Sequence, residues 1–203
     1  MVYLQQFMKK SERTKQFIIE QTAPIFNKKG YAGTSLSDLT NATGLTKGAI
    51  YGNFSNKDEV AVAAFDYNFG LLSQAINKRM LLAETAEDQL LVFINFYLEY
   101  YDTVLMRGGC PILNTAIDAD DGNPQLFNKV KAALNRWIKG VQTIVERGVE
   151  EKEFNTSIAP ETFATLFTSL IEGGILLSKT TGETKHLITN LQYLKKLVRQ
   201  LKE

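Results

Sequence analysis

Apolar residues recur at helical spacing along nearly all of the chain, and no stretch alternates as a half-buried strand would. From Glu12 to Lys29, Ile18, Thr22, Ile25 and Phe26 share one face, with Ser11 as N-cap and Gly30 as the stop. Pro24 removes a backbone donor inside that run and predicts a bend near Glu20. Ser35 and Asp38 have capping-box spacing and open a helix over about 36–43, which Gly44 ends; Thr46 caps the next, over about 47–53. Asn56 and Glu59 open a long helix from Lys57 to about Met80 whose apolar face uses Val60, Ala64, Tyr67 and Leu71. A further helix follows Thr85 and Asp88 and runs to about Leu105, and another runs from Pro111 to about Ala116. Others start at Pro124 and Pro160, and the last covers Thr184 to Leu201. The expectation is an all-α fold of about nine helices.

At 203 residues the chain can bury a core without a metal or a disulfide. With 44% hydrophobic and 22% charged residues, it is neither collagen-like nor disordered. Its apolar runs are too short to span a bilayer, and residues 1–10 lack the apolar segment of a secretory signal, so a cytoplasmic protein with no membrane partner is expected. The single cysteine, Cys110, agrees with a reducing compartment.

Charge divides the chain. Residues 1–57 carry eight Lys/Arg against three acids, a balance of +5, and the remainder stands at −4. A basic head on an acidic body suggests that the head meets a polyanion.

Within that head, "TGLTKGAIYGNFSNKDE" (43–59) places two short helices around Gly44, the dimensions of a helix-turn-helix. A helix enters the major groove, about 12 Å wide, only if its leading face is small. Gly48 and Ala49 meet that need, and Thr46 and Lys47 stand at the front for base edges or phosphates. Tyr51 offers a hydroxyl to a backbone phosphate, and Lys57 a cation at the next helix N-terminus. Leu39, Ala42, Leu45, Ile50 and Phe54 have the spacing to pack on Ile18 and Phe26. Pattern alone leaves a second reading open, in which the short helix and Tyr51 merely complete a helical core.

The stretch "FNKKGYAGTSLSDLTNATGLTKGAIYGNFSNKDEV" resembles the N-terminal domain of the tetracycline-repressor (TetR) family of bacterial transcription regulators, through Phe26, Gly30, Tyr31, Thr34-Ser35, Gly44, Lys47-Gly48, Tyr51, Phe54 and Lys57. The likeness covers about residues 10–62. Pro24, Asn53 and Val60 depart from the common pattern. The resemblance implies a DNA-binding domain over 1–56, with Thr34, Ser35, Thr46, Lys47, Gly48, Ala49, Tyr51, Asn53 and Lys57 at the DNA. It also implies a helical ligand-binding and dimerisation domain over 57–203. The partners expected are a double-stranded, near-palindromic DNA operator, a second copy of the chain and a small apolar or aromatic effector, with no cofactor and no metal.

In the body, wide apolar stripes on the last two helices predict a twofold four-helix interface through Phe163, Phe167, Leu170, Gly174, Leu191, Leu194 and Val198, or else a stripe packed wholly within one subunit. Phe65, Phe96, Tyr100 and Trp137 are the candidate pocket aromatics, although aromatics at helical spacing also build cores. Cys110, at the N-cap of the Pro111 helix and three residues after Arg107, reads as a thiolate that could sense electrophiles or line the pocket, or as a small buried residue.

Catalysis finds little support. His186 is the only histidine, and no nucleophile-elbow, Walker or dinucleotide pattern occurs. "DADDG" (118–122) invites a calcium reading, but Gly122 takes a ligand position and Lys129 replaces the closing glutamate. A helical adaptor that binds protein through its aromatic patches is the other alternative.

Overall fold

The computed structural model describes residues 9–120 and 122–203; the expectation that residues 1–10 lack a secretory signal falls mostly on residues 1–8, outside this range. Among the described residues there are nine helices and no strand: α1 (Lys10–Gly33), α2 (Leu36–Thr43), α3 (Lys47–Tyr51), α4 (Lys57–Met80), α5 (Ala86–Met106), α6 (Pro111–Ala119), α7 (Pro124–Glu150), α8 (Pro160–Thr181) and α9 (Lys185–Gln200). No helix among them is long and apolar enough to cross a membrane.

Local chemistry sets most of these boundaries. Ser35 accepts from the Asp38 amide while the Asp38 carboxylate accepts from the Ser35 amide at 2.8 Å, a complete capping box. Thr46, Asn56, Thr85 and Asn123 cap α3, α4, α5 and α7 in the same way, each accepting from the amide three residues on. Helix α1 starts earlier than expected: Lys9, not Ser11, is the N-cap, because the Glu12 carboxylate reaches back to the Lys9 amide at 2.9 Å.

The predicted bend at Pro24 is not where α1 breaks. Helical dihedrals continue through Pro24, and the one interior break is Gly30 at φ 74°, ψ 176°, a conformation that only glycine adopts without strain. Helix α3 is shorter than predicted, since regular geometry ends at Tyr51; the amides of Gly52, Asn53 and Phe54 nevertheless fold back onto the carbonyls of Gly48 and Ile50.

Helices α1 to α3 close over Ile18, Phe26, Leu39, Ile50 and Phe54, all buried. The long helix α4 packs along α1 and carries the core into the body, where α5, α7, α8 and α9 surround Leu90, Ile94, Phe167, Ile171, Leu191 and Leu194. The joint between head and body is polar. Asn27 in α1 donates to the carbonyls of Arg107 (2.7 Å) and Gly109 (3.2 Å), and Asn114 in α6 donates to the carbonyls of Asn27 (3.0 Å) and Gly108 (2.7 Å). Lys179 in α8 donates to the Asn114 side-chain oxygen at 2.9 Å. Asp118, the first residue of the supposed calcium loop, instead accepts from the amides of Tyr31 and Ala32, which the break at Gly30 leaves without helical partners.

The predicted dimer residues need correction. Phe163, Phe167, Gly174, Leu191, Leu194 and Val198 are buried inside one subunit, where α8 and α9 pack on each other. A Cβ at Gly174 would meet Leu187 of α9 at 2.8 Å, so that glycine serves an approach within the subunit. Of the predicted set only Leu170 is partly exposed. The apolar residues that α8 and α9 turn outward are Leu166, Leu176, Leu177, Ile188 and Tyr193.

Candidate DNA interface and effector cavities

Gly44 takes a left-handed φ of 67° at the C-cap of α2, and its amide bonds back to Thr40 at 2.8 Å; a side chain there would be strained, so the turn into α3 depends on it. Beyond the turn, Thr46, Lys47 and Gly48 are exposed at the N-terminal tip of α3, Ala49 is half-buried, and Ile50 is fully buried beneath them. The tip is bare: the nearest atom to a Cβ built on Gly48 is the Thr46 hydroxyl at 4.0 Å. Ser35, exposed at the start of α2, lies beside the ion pair of Lys29 with Asp38 at 2.6 Å. That pair, together with the Ser35 groups, holds the Asp38 carboxyl well below the usual carboxylate range.

Not every predicted contact faces outward. Thr34 is fully buried, and its hydroxyl donates to the Gly30 carbonyl at 2.6 Å, so it serves the turn and not the surface. Asn53 is half-buried and donates to the Ala49 carbonyl at 2.9 Å, tightening the end of α3. Tyr51 is half-buried against the head's core. Lys57 stands with its ammonium 4.3 Å from the centre of the Tyr31 ring, and Tyr31 donates its hydroxyl to Asp58, which pushes the phenol up to about 12. At the back of the head Lys15 pairs with Glu59 at 2.9 Å and lies 4.7 Å over the Phe54 ring. The Ser55 amide and Lys15 hold the Glu59 carboxyl down at about 2.

In the body the predicted pocket aromatics separate into three places. Trp137 lines a cavity of about 240 Å³ with Phe69, Phe93, Tyr97 and Arg136, and its indole N–H has no partner among the described residues. Phe96 and Tyr100 line a second cavity, of about 380 Å³, on the other side of Leu72. Phe65 belongs to neither: it is buried at the foot of α4, stacked on Phe69 with ring centres 6.0 Å apart, and its aromatic bulk fills the joint near Phe26 and Leu126.

Cys110 caps α6 as expected, but its thiol is not poised. It is fully buried and donates to Glu172 at 2.9 Å; burial and the adjacent carboxyl push the thiol up, which agrees with the reading of a small buried residue and not with that of a thiolate. Burial likewise lifts Glu172 to about 7, and its other carboxyl oxygen has no donor, as a protonated acid allows. The sequence gives no hint of this pair, nor of Asn27, Asn114 and Asp118, whose partners lie about eighty positions away.

The sequence profile for bacterial regulatory proteins of the tetR family matches residues 18–64, and that for the tetracyclin repressor-like C-terminal domain matches residues 86–194. The crystal structure of a TetR-family transcriptional regulator from Cytophaga hutchinsonii is 42% identical, covers 96% of this chain and 98% of its own, and superposes with a TM-score of 0.90. The chain belongs to the TetR family of helix-turn-helix transcriptional regulators. A TetR transcriptional regulator from Chloroflexus aurantiacus J-10-FL is 33% identical over 95% of this chain and 98% of that one, with a TM-score of 0.89. The HTH-type transcriptional repressor DhaR of Mycobacterium sp. (strain GP1) is 23% identical over 168 residues, 81% of this chain and 82% of that protein. In this TetR-family chain, α3 stands as the second helix of the helix-turn-helix.

Proposed function

We propose that the chain is a cytoplasmic repressor that acts by binding and not by catalysis. Residues 1–56 read DNA, and residues 57–203 pair two subunits and bind a small apolar or aromatic effector. The observation that carries this reading is the bare, exposed tip of α3, with Thr46, Lys47 and Gly48 outward and Ile50 anchored beneath. Lys47 and Thr46 supply donors for base edges and phosphates, Ser35 a hydroxyl at the start of α2, and Tyr51 and Lys57 flanking phosphate contacts.

Pairing falls to the outward face of α8 and α9, through Leu166, Leu170, Leu177, Ile188 and Tyr193, in place of the buried stripe. Two such chains bring two heads to successive major grooves about 34 Å apart on a near-palindromic operator. The repressor sense follows the relative from Mycobacterium, the transcriptional repressor DhaR. An effector that favours a different head separation releases the DNA by shifting the population of dimers.

The test is selection of bound duplexes from random DNA, followed by affinity measured at increasing salt. The reading expects a near-palindromic motif and an affinity that falls steeply with salt. Recovery of no enriched motif, with only weak binding at low salt, would remove it.

A further inference from the structure

The two cavities differ in charge. The smaller has one cationic side chain on its wall, Arg136. The larger has three, Lys78, Arg79 and Arg107, and no carboxylate anywhere on its lining. Among the described residues neither Lys78 nor Arg107 forms an ion pair, and Arg79 reaches Glu99 only at 3.4 Å. The Arg79 guanidinium is held 4.7 Å from the Tyr100 ring centre and 5.4 Å from that of Phe96, on two rings stacked 5.2 Å apart, and it donates to the Ala75 carbonyl at 3.1 Å. Like charges converging on a concave surface repel one another unless an anion joins them, and low-dielectric walls strengthen its attraction. The same lining holds the apolar side chains of Leu71, Leu72, Phe96 and Val104.

We infer that the cavity between α4 and α5 takes an apolar-bodied carboxylate, its charged end among Lys78, Arg79 and Arg107 and its apolar body on Leu71, Leu72, Phe96 and Val104. This rests on the effector reading above and names the chemical class of the effector. The position also supplies the route to the head. Asn27 and Gly109 both line this cavity, where Asn27 donates to the Gly109 carbonyl, and Arg107 contributes both a cation to the cavity and a second carbonyl that holds Asn27. A carboxylate that draws Arg107 inward therefore acts on the bonds that fix α1 to the body.

The experiment is calorimetric titration of the full chain with two matched trios of one apolar body each: 4-phenylbutyrate, 4-phenylbutan-1-ol and 4-phenylbutylamine, then decanoate, decan-1-ol and decylamine. In at least one trio the acid is expected to bind about tenfold or more tightly than its alcohol, the strength of one charge-assisted contact, with the amine weakest. The double variant Lys78→Gln/Arg107→Gln, at two exposed positions, should bring the acid down to its alcohol while leaving the alcohol's affinity and the melting temperature unchanged. Arg136→Gln, on the smaller cavity, should change nothing. Equal binding of acid and alcohol, absence of binding by every member, or loss of the acid's advantage in Arg136→Gln would each overturn the inference. Operator binding measured alongside separates the two ideas: release by an alcohol or amine supports the effector reading while contradicting the charge class, and tight acid binding without release supports the class while removing the effector role.

Discussion

The head and the body turn different side chains outward. In the head, Leu39, Ile50 and Phe54 lie inside while Thr46 and Lys47 stand exposed at the tip of a five-residue helix, which suits a partner that is a highly charged polymer. Both parts bury polar groups, Thr22, Thr34 and Thr43 in the head and Thr168, Ser178 and Glu172 in the body, but the body also turns Leu166, Leu176, Leu177, Ile188 and Tyr193 out. A surface that meets DNA needs few side chains, all close in sequence. The outward apolar face proposed for a second copy, and the cavity proposed for a small molecule, are assembled from helices far apart in the chain.

The contrast is broken most severely at α8. Phe167→Ala should cost about 3–5 kcal/mol, because it leaves a cavity in the subunit's interior, as chemical denaturation would measure. Leu177→Glu, one helix face away and 47% exposed, should barely change the stability of a separated subunit and should convert the dimer to monomer in sedimentation. If Phe167→Ala proved nearly neutral, or Leu177→Glu remained dimeric, the division of the stripe into inward and outward faces would be wrong.

Glu172 sharpens the comparison from inside. Its folded pKa of about 7 lies above its ordinary 4.5, so the folded chain holds this proton more tightly than the unfolded one. Its contribution is full below about pH 4.5 and is lost as pH rises through 7, at a cost on the order of 3 kcal/mol. Glu172→Gln should therefore raise stability at pH 8 and flatten the decline between pH 5 and 8. Glu59 works the other way in the head: held at about 2, it favours the folded state above pH 4.5, and that contribution disappears as pH falls toward 2.

A smaller effect is expected at the joint. Asn114→Ala removes donors to the Asn27 and Gly108 carbonyls and should cost about 1–3 kcal/mol. Amide exchange in α1 should rise more than in α8 if the joint, and not the body's core, depends on it. Equal increases in both helices would show that Asn114 supports the whole subunit.

What could be read from sequence follows the same division. The caps at Ser35, Thr46, Asn56 and Thr85, the turn at Gly44 and the break at Gly30 are local events, and each was expected from residues within four positions. The tip of α3 was legible for the same reason. Thr34 was misassigned because burial depends on how α1 closes over α2, which its neighbours in sequence do not reveal. The dimer stripe failed in a similar way: α8 is apolar around more than half its circumference, so periodicity could not say whether Leu166 or Phe167 turned inward. At Cys110 two readings stood open, a thiolate at a helix end or a small buried residue, and burial with Glu172, sixty-two positions later, favours the second.

The central claim is that α3 is bare at Gly48 so that DNA can approach its backbone, and Gly48→Leu tests it most directly. The position is exposed and nothing crowds its Cβ, so replacing glycine by a good helix former should keep or raise the melting temperature. The account predicts that this intact dimer loses operator affinity by more than about tenfold in fluorescence anisotropy, since a leucine side chain holds the helix off the base edges. An equally stable leucine variant that bound the operator as tightly as the native chain would contradict it.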